Sequence, residues 1–273
     1  MNNVLLAIDP IYIGGTAQFA LTRQTLDVDA NGDGVVDLVG ATVRGVALSV
    51  SDVRVVVDGV ATLRVSGQLA LASVTAAGGT TPSYTALKMG NVTVSTEVVS
   101  GSFALTGDLT ISRLEMNNGA TPTAPRLDWT KAFDFNGDGT KDLLDPGAAL
   151  PTPVALPIDF NQGLSLLLSG SVSGNGIVGV DDTDPDRFTI DPDDPDDTAF
   201  LTVAGVSLSG SVSFAVAIRD VDLAAQDNAT LTTFALRIDD PVTLRIDTIA
   251  ASITSGALAV ATIDLTDGTQ YFG

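Results

Sequence analysis

The stretch that decides the fold is Val46-Ala-Leu48-Ser-Val50-Ser-Asp-Val53-Arg-Val55-Val-Val57-Asp58-Gly59-Val60-Ala-Thr-Leu63-Arg-Val65-Ser66-Gly67-Gln-Leu69-Ala-Leu71. Apolar residues fall on every second position, the period that puts them on one face of a β-strand. Asp58-Gly59 and Ser66-Gly67 interrupt the alternation with residues suited to tight turns, so the stretch predicts a meander of short strands. The same grammar returns at Phe103 and Leu105, with a turn expected at Thr106-Gly107-Asp108, and then at Leu109 and Ile111. It returns at Val206, Leu208, Val212, Phe214, Val216 and Ile218. A last instance comes at Leu236 and Ile238, where Asp239-Asp240-Pro241 reads as a turn before Val242, Leu244 and Ile246. No helical stripe competes. The expected fold is all-β, with antiparallel meanders forming an elongated β-sandwich or a solenoid-like rod.

Composition narrows the chemistry. Apolar residues make up 45% of the 273 positions and aromatics 5%, so the core must be built from Val, Leu, Ile and Ala. The net charge is -20, from 33 acidic and 13 basic residues. Only Glu97 and Glu115 are glutamates, and Lys is confined to Lys88, Lys131 and Lys141. Asp favours turns and chelates hard cations, so this bias points to loops and calcium; the acid-rich surface of a halophile gives the same balance. It argues against nucleic acid, whose binding depends on Lys and Arg. Cys and His are absent, which removes disulfides and the preferred ligands of transition metals. No run of 18 apolar residues occurs, so no membrane insertion is expected. The first ten residues lack the basic and apolar regions of a signal peptide.

The chain also resembles itself. Residues 87–121 read like 201–230, Leu63-Arg-Val-Ser-Gly-Gln-Leu-Ala-Leu71 is echoed by 166–172, and Asp29 and Asp134 open similar loops 105 residues apart. Two diverged repeats follow from this. The first repeat spans 1–125 with an acidic loop at 27–40, and the second spans 126–273 with loops at 134–145 and 181–198.

The second of these loops reads Asp134-Phe-Asn136-Gly-Asp138-Gly139-Thr140-Lys-Asp142-Leu-Leu-Asp145. Side-chain oxygens stand at positions 1, 3 and 5, Gly139 permits a sharp turn at 6, and Thr140 offers its carbonyl at 7. Asp142 at 9 and Asp145 at 12 complete a hard-oxygen set suited to Ca²⁺. The first loop, Asp29-Ala-Asn31-Gly-Asp33-Gly34-Val-Val-Asp37, repeats positions 1, 3, 5, 6 and 9. Its position 12 is Gly40, and Asp27 just upstream is the candidate for the missing carboxylate. The tract Asp181-Asp182-Thr-Asp184-Pro-Asp186, continued by Asp191 to Asp197, is either a third calcium site or a solvated acidic loop.

Both loops resemble the calcium loops of dockerins and of FG-GAP-type bacterial repeats, with their pattern Asp-x-Asn-x-Asp-Gly-x-x-Asp. The likeness covers about a dozen residues each time and implies the ion rather than the fold. The chain as a whole resembles a calcium-binding, β-rich repeat module of a large bacterial surface or adhesin-like protein, which implies an extracellular, cell-surface location.

Without His or Cys no Ser-His or Cys-His nucleophile can be assembled, and no enzyme is expected. The sequence therefore points to a calcium-stabilised structural or adhesive module. Its expected partners are itself, as a homopolymer joined strand to strand, or neighbouring repeats. The alternative is a calcium-dependent carbohydrate-binding module that holds a surface glycan near Trp129, Phe133 and Phe135.

Overall fold

Alternation of apolar and small polar residues is carried through almost the whole chain, and it builds one antiparallel sheet. The structure, a computed structural model, describes residues 2–8, 11–57, 61–79, 83–100, 103–119, 121, 124–174, 199–204, 206–223, 226–246 and 249–273. The strands are β1 (Asn2–Ile8), β2 (Ile11–Val28), β3 (Leu38–Val57), β4 (Ala61–Thr75), β5 (Ser83–Ser100), β6 (Phe103–Asn118), β7 (Leu164–Ser173), β8 (Ala199–Val203), β9 (Val206–Leu223), β10 (Gln226–Ile246), β11 (Ile249–Ile253), β12 (Gly256–Asp264) and β13 (Gln270–Phe272). Their order in the sheet is β1-β2-β3-β4-β5-β6-β7-β9-β10-β12-β13, an open meander with β1 and β13 outermost. The expected all-β antiparallel architecture is thus present. The acidic loop 181–198 and the Asp58-Gly59 turn lie outside the described residues.

Two columns of the sheet are shared. β7 and β8 both lie between β6 and β9: Ser173 faces Ser211 and Ala199 faces Ser209. They are successive lengths of one column, the first ending at Ser173 and the second beginning at Ala199. β12 and β11 likewise follow one another along β10.

Three expected turns prove to be interior to long strands. Ser66-Gly67 is a bulge in β4, marked by a register shift between Ser66 and Gln68 against β5. Thr106-Gly107-Asp108 runs straight through β6, paired residue by residue with β5. Asp239-Asp240-Pro241 lies inside β10, where register shifts against β9 leave Pro241 without the need for a ladder N–H. At Gly67 the reason is local: glycine accepts a positive φ in a bulge as readily as in a turn. The bulges also line up. Gly15 (φ 150°), Asp52 (φ 49°), Gly67 (φ 150°) and Asn91 (φ 51°) occupy successive strands β2 to β5, and a shift at Ser112 extends the row into β6. At Gly67 a Cβ would stand 2.7 Å from the Val92 Cα, so only glycine lets β5 come this close.

The faces of the sheet differ. Opposed residues share a face, and one row of neighbours runs Leu48, Leu69, Met89, Leu114, Leu168 and Val216 from β3 to β9, with Phe19 and Phe234 at its ends. Two residues along lies a second row: Val46, Leu71, Leu87, Met116, Leu166 and Ile218. A third row on the other side carries Val92, Ile111, Phe214, Leu236 and Leu258. The intervening rows, on the opposite face, are richer in small and polar residues; one reads Ala47, Ala70, Lys88, Glu115, Leu167 and Ala217.

The core forms on that second face. Between β6 and β7, in an excursion numbered 119–163, the described residues 124–163 pack Leu127, Trp129, Phe133, Leu144, Leu156, Ile158 and Phe160 onto Ala41, Val43, Ala70, Ala72, Val74 and Ala86. Alanines on the sheet leave room for the bulky side chains of this excursion. Buried Asn117 fixes it in place: its amide donates to the Leu127 and Asn161 carbonyls at 3.0 and 3.1 Å, and its Oδ1 accepts from Trp129 Nε1 at 2.9 Å. Lys88 adds bonds to the Pro157 carbonyl at 2.8 Å and the Asp159 carboxylate at 2.6 Å, and lies 3.7 Å from buried Glu115. The boundary expected at 125/126 falls inside this excursion, while the sheet passes from β6 to β7 unbroken. Among the described residues no helix is long and apolar enough to cross a membrane.

Candidate metal centre

The loop joining β2 to β3 is shaped by its own side chains. Asp29 accepts the Gly32 amide on Oδ1 at 2.7 Å and the Gly34 amide on Oδ2 at 2.9 Å. Asn31 Oδ1 accepts the Asp33 amide at 3.0 Å, and Asp33 Oδ1 accepts the Val35 amide at 2.8 Å. Asp37 closes the loop, accepting the Ala30 amide at 2.7 Å and donating its own N–H to the Val28 carbonyl at 3.0 Å. Gly32 and Gly34 sit at φ 75° and 91°, which an alanine would resist.

Adding 105 to each number gives the second loop. Asp134 accepts Gly137 and Gly139 amides at 2.7 and 2.9 Å, Asn136 accepts Asp138 at 2.9 Å, and Asp138 accepts Thr140 at 2.7 Å. Asp142 accepts the Phe135 amide at 2.8 Å and donates to the Phe133 carbonyl at 2.9 Å. Gly137 and Gly139 sit at φ 74° and 83°. The flanks differ, a long hairpin for one loop and the excursion for the other. The wiring is shared, with one added bond in the second loop from the Asp138 amide to Asp134 Oδ1 at 3.2 Å.

Two of the expected ligands stand apart. Asp145 accepts the amides of Gly147 and Leu156, both at 3.0 Å, and so caps the short 3₁₀ helix Pro146–Ala149. Asp27 accepts the Gly40 amide at 2.8 Å and ties together the ends of β2 and β3.

The sequence gives no sign that the two loops are neighbours, because the excursion alone brings them together. Asp29 N–H donates to the Ala132 carbonyl at 3.2 Å, Asp128 N–H donates to the Ala30 carbonyl at 3.1 Å, and Lys141 Nζ lies 3.5 Å from Asp29 Oδ2. Burial works against the charged form of Asp29, but the Gly34 and Gly32 amides and Lys141 outweigh it and hold the carboxyl below its ordinary range. The Thr140 amide and hydroxyl do the same for Asp138, against a smaller effect of desolvation and with help from Asn136. Trp129 and Phe133, 5.8 Å apart between ring centres, are fully buried, and Phe135 stacks on Phe133 at 5.2 Å.

Every side-chain donor in these loops is a hard oxygen, the donor type of Ca²⁺ and not of softer ions. The fit is one of donor chemistry and loop form. Among the described residues, no three acidic side chains converge as a ligand cluster. The chain matches no family model, no curated protein and no solved structure.

Proposed function

We propose that the chain is a non-catalytic, calcium-stabilised structural or adhesive module of an extracellular bacterial surface protein. The observation that carries this reading is the shared wiring of two Asp-Asn-Asp-Gly loops 105 residues apart, in a chain of net charge -20. Asp29, Asn31, Asp33 and Asp37 would hold one ion, and Asp134, Asn136, Asp138, Asp142 and the Thr140 carbonyl a second. Asp27 and Asp145 lie next to these sets. A bound divalent cation would neutralise carboxylates that otherwise repel one another. The protein's own contribution is to hold each loop in place, through the glycines at positive φ and the Asp37 and Asp142 closures.

The two loops meet between the β2–β3 hairpin and the excursion, so calcium there would stiffen the joint between sheet and core. Self-association along the strand edges is a further proposal, with β1 and β13 as the outermost strands. The glycan reading draws no support from the aromatics beside the loops, since Trp129 and Phe133 are buried in the core.

Thermal unfolding in calcium and in EDTA tests the proposal. Ca²⁺ at 100 times its dissociation constant should add about 2.7 kcal/mol per site, a rise of several degrees. Asp134→Ala should reduce the rise. An identical melt in calcium and EDTA would overturn the reading.

A further inference from the structure

We propose that the apolar face of the sheet is the seat of a second copy of this chain, packed sheet to sheet. The proposal is independent of calcium and of strand-edge contacts. Among the described residues nothing is buried against the three apolar rows: the core lies wholly on the opposite face, and of the rows only Val92 is buried. Phe19 is 60% exposed, Leu21 63% and Leu258 53%; Leu71, in the fourth column, is 41% exposed.

Size favours a stable pair. The first row crosses eight columns, β2 to β10, and the other two cross six each. At about 4.8 Å per column and about 6.6 Å per row, they cover roughly 630 Å². Two such faces would bury roughly 1,300 Å², within the range of specific interfaces.

The absence of charge in the rows bears on the occupant. In a chain with 33 acidic residues, the three rows contain none, and no basic residue either. The single Trp is buried in the core rather than placed at a membrane boundary, and no Lys or Arg stands in the rows to meet a headgroup phosphate. A like face avoids any unpaired charge: aliphatic rows at one spacing pack on their own copy about 10 Å away, related by a two-fold axis.

Sedimentation velocity of the full chain, in calcium and separately in EDTA, tests this. The expected species has twice the 27.8 kDa chain mass in both buffers, and the dimer fraction rises with NaCl as the repulsion between the copies is screened. Leu71→Glu, and independently Phe19→Glu, should raise the dissociation constant at least about tenfold. Ala257→Glu, exposed on the opposite face, should leave it unchanged, with far-UV circular dichroism confirming the fold of each variant. A monomer at about 100 µM would overturn the proposal, as would a dimer indifferent to Leu71→Glu and Phe19→Glu. A monomer that takes up detergent or phosphatidylcholine vesicles on this face would overturn it in favour of an amphiphile.

Discussion

Asp52 and Gly67 show how single residues shape the sheet. Asp52 holds φ at 49° in the bulge of β3, and its carboxylate pairs with Arg54 at 3.0 Å. That hydrogen bond and the Arg54 charge, against slight desolvation, hold the carboxyl below its ordinary 3.8. Asn tolerates the same backbone but carries no charge, so Asp52→Asn isolates the ion pair. A depressed carboxylate stabilises the fold above its unfolded pKa and stops doing so as pH falls through the folded value. Urea midpoints should therefore show wild type slightly above Asp52→Asn at pH 6, with the gap closing below 3.8 and shrinking in high salt. Gly67→Ala is harsher. It puts a Cβ 2.7 Å from the Val92 Cα at φ 150°, and a loss of about 2–3 kcal/mol in chemical denaturation is expected.

At the scale of elements, the excursion 119–163 is the piece on which the core depends. Trp129 is its anchor, closed on every side and bonded through Asn117. Trp129→Ala should cost about 3–5 kcal/mol, read from the denaturation midpoint. Asn117→Ala leaves the buried Trp129 N–H and two carbonyls without their partner, and should cost about 1–3 kcal/mol by the same measurement. This is also the scale at which the sequence misleads. Strand type is legible in the alternation of Val46 to Leu71, since period two has one structural meaning. Strand length is not, because Ser66-Gly67 and Asp239-Asp240-Pro241 carry the same residues whether the chain reverses or bulges. The loop forms are legible as well, since Asp29 to Asp37 and Asp134 to Asp142 encode their hydrogen bonds locally. Their adjacency depends on how Pro- and Gly-containing residues 119–163 fold back, and no periodicity reports that.

For the whole molecule, the sheet joins both halves of the chain while its two faces do different work. One is tiled with alanines and serves as a floor for the excursion. The other is tiled with Leu, Val, Ile, Met and Phe and is left open to a partner. The sharing of one column by β7 and β8 has a consequence for what the chain can carry. Ser173 and Ala199 stand opposite residues only two apart on β9, so the column resumes at β8 almost where β7 ends. That point is a graft site. Replacing 175–197 with a four-residue Gly-Ser linker should keep the β9 amides opposite β7 and β8 protected in hydrogen exchange. Foreign cargo of comparable length inserted there should be displayed without reshuffling a single strand.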